Sequence, residues 1–147
     1  DTLNPDKYQR ITRRSGLEAV LDGLFAARSC GLDPIKINTV IERGMNDDEI
    51  VELAEFARAH DFPLRFIEFM DVGNANNWNS EKTVSKREIL ERLHAHRPLR
   101  EKGRGDASAP SVEYTFSDGR GDIGVIASVT EPFCSGCSRV RLTASKS

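Results

Sequence analysis

The fold is decided by the stretch Pro34-Ile35-Lys36-Ile37-Asn38-Thr39-Val40-Ile41, a helical pattern, and then Leu64-Arg65-Phe66-Ile67-Glu68-Phe69-Met70. Both runs are short, rich in β-branched and aromatic residues, and bounded by turn signals, so both read as strands. Between them Ile50, Leu53, Ala54 and Ala57 recur at helical spacing after a cap expected at Asn46 or Asp47. Strand, helix, strand with short connections implies parallel pairing within an α/β fold. Both strands look apolar on both faces, as buried parallel strands are. Lys36, Asn38, Arg65 and Glu68 then need an explanation, because an unpaired buried charge costs several kcal/mol.

Upstream, Asn4-Pro5 reads as a cap and first helical position, opening a short helix through Tyr8 and Ile11. Ser15, with Glu18 three residues on, marks a second helix carrying Leu17, Val20, Leu21, Leu24 and Phe25. Gly31 ends it, and Cys30 reads as an inert small residue near that end. Downstream, Asp71 to Trp78 is a polar loop at the C-terminal end of a parallel strand, the end that carries active sites in α/β barrels. Ser85 and Glu88 cap a helix from Lys86 to about His94. Arg97 to Pro110 is basic and reads as a solvated loop. Residues 111–116 and 122–129 read as an antiparallel strand pair.

Composition narrows the function. The 147 residues carry a net charge of -2, which gives no field for general nucleic-acid or membrane-surface binding. No apolar run is long enough to span a bilayer. Three cysteines are too few for a disulfide scaffold and fit a reducing, cytoplasmic setting.

The sharpest chemical signal is Glu131-Pro132-Phe133-Cys134-Ser135-Gly136-Cys137-Ser138-Arg139-Val140-Arg141. The pair Cys134 and Cys137 has three readings: half of a zinc site, a redox dithiol, or two ligands of an iron–sulfur cluster. Its place after an antiparallel pair argues against the thioredoxin arrangement. Arg139 and Arg141 project to one side of an extended segment and could clamp phosphate bidentately, unless they are simply surface arginines. Lys36 and Asn38 share one strand face, where the lysine could meet an anionic ligand or pair with Glu68.

Residues 34–40, 43–50, 65–70, 73–78 and 133–143, in this order and spacing, resemble molybdenum cofactor biosynthesis protein A, the radical S-adenosylmethionine family of GTP 3′,8-cyclases. The resemblance implies part of an incomplete TIM-like barrel in residues 1–78. Residues 79–147 would form a C-terminal antiparallel extension that carries the CxxC. It implies two [4Fe-4S] clusters in the complete family. One cleaves S-adenosylmethionine to a radical that abstracts the ribose 3′ hydrogen of GTP, and the other binds GTP. The enzyme acting next, cyclic pyranopterin monophosphate synthase, would be a partner, and the complete form would be a homodimer.

Carried onto this chain, Cys134 and Cys137 match two of three ligands of the C-terminal cluster. Lys36, Arg139 and Arg141 match GTP-contacting residues, and Met70 matches an S-adenosylmethionine contact. Arg65 matches an arginine of the family motif, and Asn38 joins the pocket by parity with Lys36. Arg65 and Met70 have opposite parity, so on one regular strand they could not both point inward. The family's CxxxCxxC is absent, since the only cysteines are Cys30, Cys134 and Cys137. The chain is therefore expected to be a middle-to-late section of the enzyme, inactive by itself. The rival readings are a zinc- or nucleotide-binding module, a related radical enzyme of other substrate, and a degenerate paralogue.

Overall fold

A computed structural model describes residues 1–72, 78–105 and 109–132. Its elements are α1 (Pro5–Thr12), α2 (Leu17–Ser29), β1 (Ile37–Ile41), α3 (Ile50–Ala59), β2 (Leu64–Glu68), α4 (Lys86–His96), β3 (Leu99–Gly103), β4 (Val112–Phe116) and β5 (Asp122–Ile126). The strands form one five-stranded sheet in the order β1-β2-β5-β4-β3. The pairs β1–β2 and β2–β5 are parallel, and β5–β4 and β4–β3 are antiparallel. The chain is thus α/β with a mixed sheet.

Local signals explain most boundaries. The Asn4 side chain accepts from the amides of Asp6 and Lys7 at 2.9 and 3.1 Å, starting α1. The Ser85 hydroxyl accepts from the Glu88 amide at 3.2 Å, starting α4. Such caps contribute about 1 kcal/mol each. The cap expected at Ser15 does not form: Gly16, at φ +98°, precedes α2, and no side chain caps it. Asn46 likewise does not cap α3. Its amide instead donates to the carbonyls of Asp1 and Val40, and its oxygen accepts from the Glu42 amide at 2.9 Å. A 3-10 turn, Asp47–Glu49, leads into α3.

One face of the sheet holds the core. Ile41, Leu64, Phe66, Phe116, Ile123 and Val125 pack there with Ile50, Leu53, Ala54 and Ala57 of α3 and Ile89 and Leu93 of α4. Among the described residues, the other face is open. Lys36, Asn38 and Val40 are exposed, and Arg65 and Ile67 are half-buried. Among the described residues the cover expected on both faces of the parallel strands is present on one face alone, and the polar residues lie on the other.

Glu68 belongs to the covered face and is fully buried. It does not pair with Lys36. Its carboxylate accepts from the amides of Lys86, Val129 and Thr130 at 2.7, 2.8 and 2.8 Å, and from the Thr130 hydroxyl. Those donors compensate its desolvation. They also fasten the first turn of α4 and the chain after β5 to the end of β2.

The segment expected as a solvated loop contains β3, which pairs with β4. Arg100, Glu101 and Lys102 are exposed there, as charged residues are on an edge strand. The antiparallel pair expected in residues 111–129 is β4 and β5. β5 also joins β2, from Leu64↔Ile123 to Ile67↔Ile126, so the sheet runs across the expected division at residue 78.

Candidate functional site

The open face presents a row of residues in register: Asn38 on β1, Arg65 on β2, Gly124 on β5 and Glu113 on β4, with Gly103 of β3 beyond. Gly124 matters for space. A Cβ there would stand 2.6 Å from the Ser111 hydroxyl, 3.0 Å from Cγ of Arg65 and 3.1 Å from Oε2 of Glu113. With hydrogen in its place, Arg65 extends across β5 and its guanidinium comes 3.6 Å from Glu113. Ser111 donates to the same carboxylate at 2.5 Å, fixing its orientation.

Three members of this row, Arg65, Glu113 and Gly103, line a cavity of about 310 Å³. Lys36, Arg65, Lys102 and Arg104 supply four cations to its lining, and Glu113 and Asp122 supply two carboxylates. The cavity lies at the N-terminal ends of β1 and β2, where Lys36 precedes Ile37 and Pro63 precedes Leu64. Lys36 makes no ion pair among the described residues and is exposed.

A second cavity, about 420 Å³ and mainly apolar, lies at the opposite ends of these strands. Val40, Ile67, Met70 and Val72 line it together with Glu42 and Asn46. Met70 is 41% exposed. The parity conflict between Arg65 and Met70 does not arise, because β2 ends at Glu68 and Met70 lies beyond the pleat. The chain is held there by the Phe69 carbonyl, which accepts from the Trp78 indole at 3.1 Å and the Thr83 hydroxyl at 3.0 Å.

The residues singled out from sequence thus fall into separate places. Lys36 and Arg65 line one cavity, Asn38 lies in its open-face row, and Met70 lines the other cavity. Cys134, Cys137, Arg139 and Arg141 lie outside the described residues. Among the described residues, no cluster of His, Cys, Asp or Glu could hold a metal ion. Cys30 is exposed just past α2. Also among them, no helix is long and apolar enough to cross a membrane.

Lys102 and Arg104 were missed as site residues. Their basic run carries no apolar alternation, so neither the strand nor its direction toward Lys36 could be read. The available signal was Gly103 between two cations, since a glycine inside a strand often marks a bulge.

Comparison with known proteins places this geometry in context. The family model described as Molybdenum Cofactor Synthesis C matches residues 62–146. A GTP 3′,8-cyclase of Acidothermus cellulolyticus is 45% identical over 145 residues, covering 98% of this chain and 40% of the relative. A GTP 3′,8-cyclase of Streptomyces coelicolor is 45% identical over 145 residues, covering 98% of this chain and 42% of the relative. One from a Synechococcus species is 46% identical over 132 residues, covering 87% of this chain and 38% of the relative. The chain spans about two fifths of the length of these curated relatives.

Proposed function

The chain belongs to the molybdenum cofactor synthesis C family, and from that membership we propose that it is part of a radical S-adenosylmethionine GTP 3′,8-cyclase. The observation that carries this reading to a site is the convergence of Lys36 and Arg65 on one cavity. Both were singled out from sequence, and nothing in their spacing required them to meet.

In this reading residues 1–78 supply βα units of a TIM-like barrel, and residues 79–147 form the extension. The enzyme works in the cytoplasm, as a homodimer, and passes its product to cyclic pyranopterin monophosphate synthase. Lys36 and Arg65 bind phosphate oxygens of GTP. Arg is suited to bidentate contact and Lys acts as a point charge. Arg139 and Arg141 hold further phosphate oxygens. Asn38 adds a neutral hydrogen-bonding group to the same face, and Met70 packs against S-adenosylmethionine in the apolar cavity.

Cys134 and Cys137 would hold a [4Fe-4S] cluster as two of its thiolates. Their type and spacing suit iron–sulfur ligation, but Cys30, just past α2, does not complete a set with them by sequence proximity. When bound, the clusters and S-adenosylmethionine supply radical chemistry at the ribose. The chain's own residues supply charge, orientation and position.

The test is anaerobic reconstitution with iron and sulfide, followed by iron counting, zinc analysis and GTP titration. The 147-residue chain binds GTP, and Arg139→Ala with Arg141→Ala weakens that binding. It forms no stable [4Fe-4S] cluster and shows no cyclase turnover alone. Tightly bound zinc without iron would instead favour a zinc module built on the CxxC, and GTP binding indifferent to Lys36→Ala would remove the proposed site.

A further inference from the structure

We propose that Lys102 and Arg104 are phosphate-binding residues of this nucleotide site, reaching the polyphosphate from the side opposite Lys36. The proposal rests on the GTP reading above and adds residues that neither the sequence pattern nor the resemblance assigned.

The edge strand is built to deliver them. Glu101 pairs with Tyr114 and Gly103 pairs with Glu113, so Lys102 is an extra residue in a bulge. A bulge re-aims the side chains of the strand that contains it. Gly103 has φ +86°, a conformation other residues rarely adopt, although a Cβ there would meet nothing within 4 Å. The glycine serves the backbone path rather than the space. Lys102 before it and Arg104 after it both line the cavity.

Each new cation is held by a contact that leaves it accessible. The Lys102 ammonium lies 3.0 Å from Asp122, and that pair is about half exposed on both sides. One Arg104 nitrogen donates to the Ala109 carbonyl at 2.6 Å, which orients the guanidinium and, among the described residues, leaves its remaining donors. With Lys36 and Arg65, four cations face two carboxylates across one small space. That excess of positive charge suits a ligand with several charges along a short chain. A monocarboxylate or a neutral sugar would leave most of it unmatched. The cavity's 310 Å³ is at the small end of ligand pockets, which suits a polyphosphate tail rather than a whole nucleotide.

The experiment is calorimetric titration of the full 147-residue chain at low ionic strength with inorganic triphosphate, GTP and guanosine as separate probes. Lys102→Gln and Arg104→Gln each weaken triphosphate and GTP binding about tenfold, the effect of losing one charge-assisted contact. The dependence of affinity on salt becomes shallower in each. Asp122→Asn frees Lys102 and tightens binding, a gain that misfolding cannot imitate. If Lys36→Gln weakens binding while Lys102→Gln, Arg104→Gln and Asp122→Asn leave it as in the unaltered chain, the proposal fails and the GTP reading stands. If the unaltered chain takes up neither triphosphate nor GTP, both fail. If it takes up GTP and guanosine equally but not triphosphate, the proposal fails and the reading loses its phosphate contacts alone.

Discussion

Arg65 reaches Glu113 over the backbone of Gly124: the two side chains stand on strands separated by β5 and meet at 3.6 Å. The contact is partly exposed and, as an ion pair, contributes at most about 1 kcal/mol. Its importance is positional, because it lays the guanidinium along the cavity floor.

Gly124→Ala tests that arrangement. The new methyl would press on the buried Ser111 hydroxyl at 2.6 Å and on Arg65 at 3.0 Å. Alanine would restrict the unfolded chain, a gain of about 0.4–1 kcal/mol. Overpacking costs about 1–3 kcal/mol and prevails. Urea unfolding should show a net loss of about 1 kcal/mol, and Ser111→Gly in the same background should recover part of it. An unchanged midpoint would show that Ser111 and Arg65 move aside freely.

Glu68→Gln addresses the buried carboxylate. Glutamine keeps the shape but turns one acceptor into a donor, facing either the Lys86 amide or the pair from Val129 and Thr130. An unsatisfied buried donor costs about 1–3 kcal/mol, and here at least one is created. A destabilisation of about 3 kcal/mol is expected in denaturant titration, with amide exchange at Val129 and Thr130 accelerated beyond the global change. Equal protection of those amides in both proteins would contradict this role for Glu68.

Ser85→Ala removes the hydroxyl that accepts from the Glu88 amide. The expected loss is about 1 kcal/mol. Ser85→Asp should restore it, since a carboxylate both accepts that bond and favours the helix N-terminus.

Acid should unfold the chain through specific carboxylates. The Arg43 hydrogen bond, with the opposing burial and then the charges of Arg43 and Arg92, leaves Glu88 below its ordinary value of 4.5. The Lys7 hydrogen bond holds Asp48 below 3.8. Both groups are depressed on folding, so the unfolded chain binds more protons in this range. Their contribution is present above those ordinary values and is lost as pH falls through the lower, folded ones. Thermal midpoints should therefore begin to fall near pH 4.5 and continue downward. Glu88→Gln should flatten the upper part of that decline; a parallel curve would exclude it.

Much of this architecture was legible in short-range signals. Asn4, Ser85 and the stripe Ile50, Leu53, Ala54 and Ala57 act on neighbours within a helical turn, and the structure places them as read. What escaped depended on register and sheet edges. β3 lacks apolar alternation because an edge strand can be polar on both sides, so it resembled a loop. Gly124 looks like any glycine until Arg65 and Glu113 are placed on either side of it. Lys36 and Asn38 suggested burial because β1 resembles a strand covered on both faces, whereas one face is open in the described structure. Lys36 and Arg65 could be named from sequence, but their meeting required the pairing of β1 with β2.

The carboxylates in the cationic cavity have a consequence for selectivity. Glu113 and Asp122 already accompany Arg65 and Lys102, so an incoming anion must compete with counter-ions that are covalently part of the protein. Chloride brings one charge and cannot displace two tethered rivals at once. A chain of phosphates can do so, because each further charge adds attraction while the ligand loses its freedom only once. If the cavity takes the proposed polyphosphate, it would therefore discriminate by valence as well as by sign, and abundant small anions would not hold it closed.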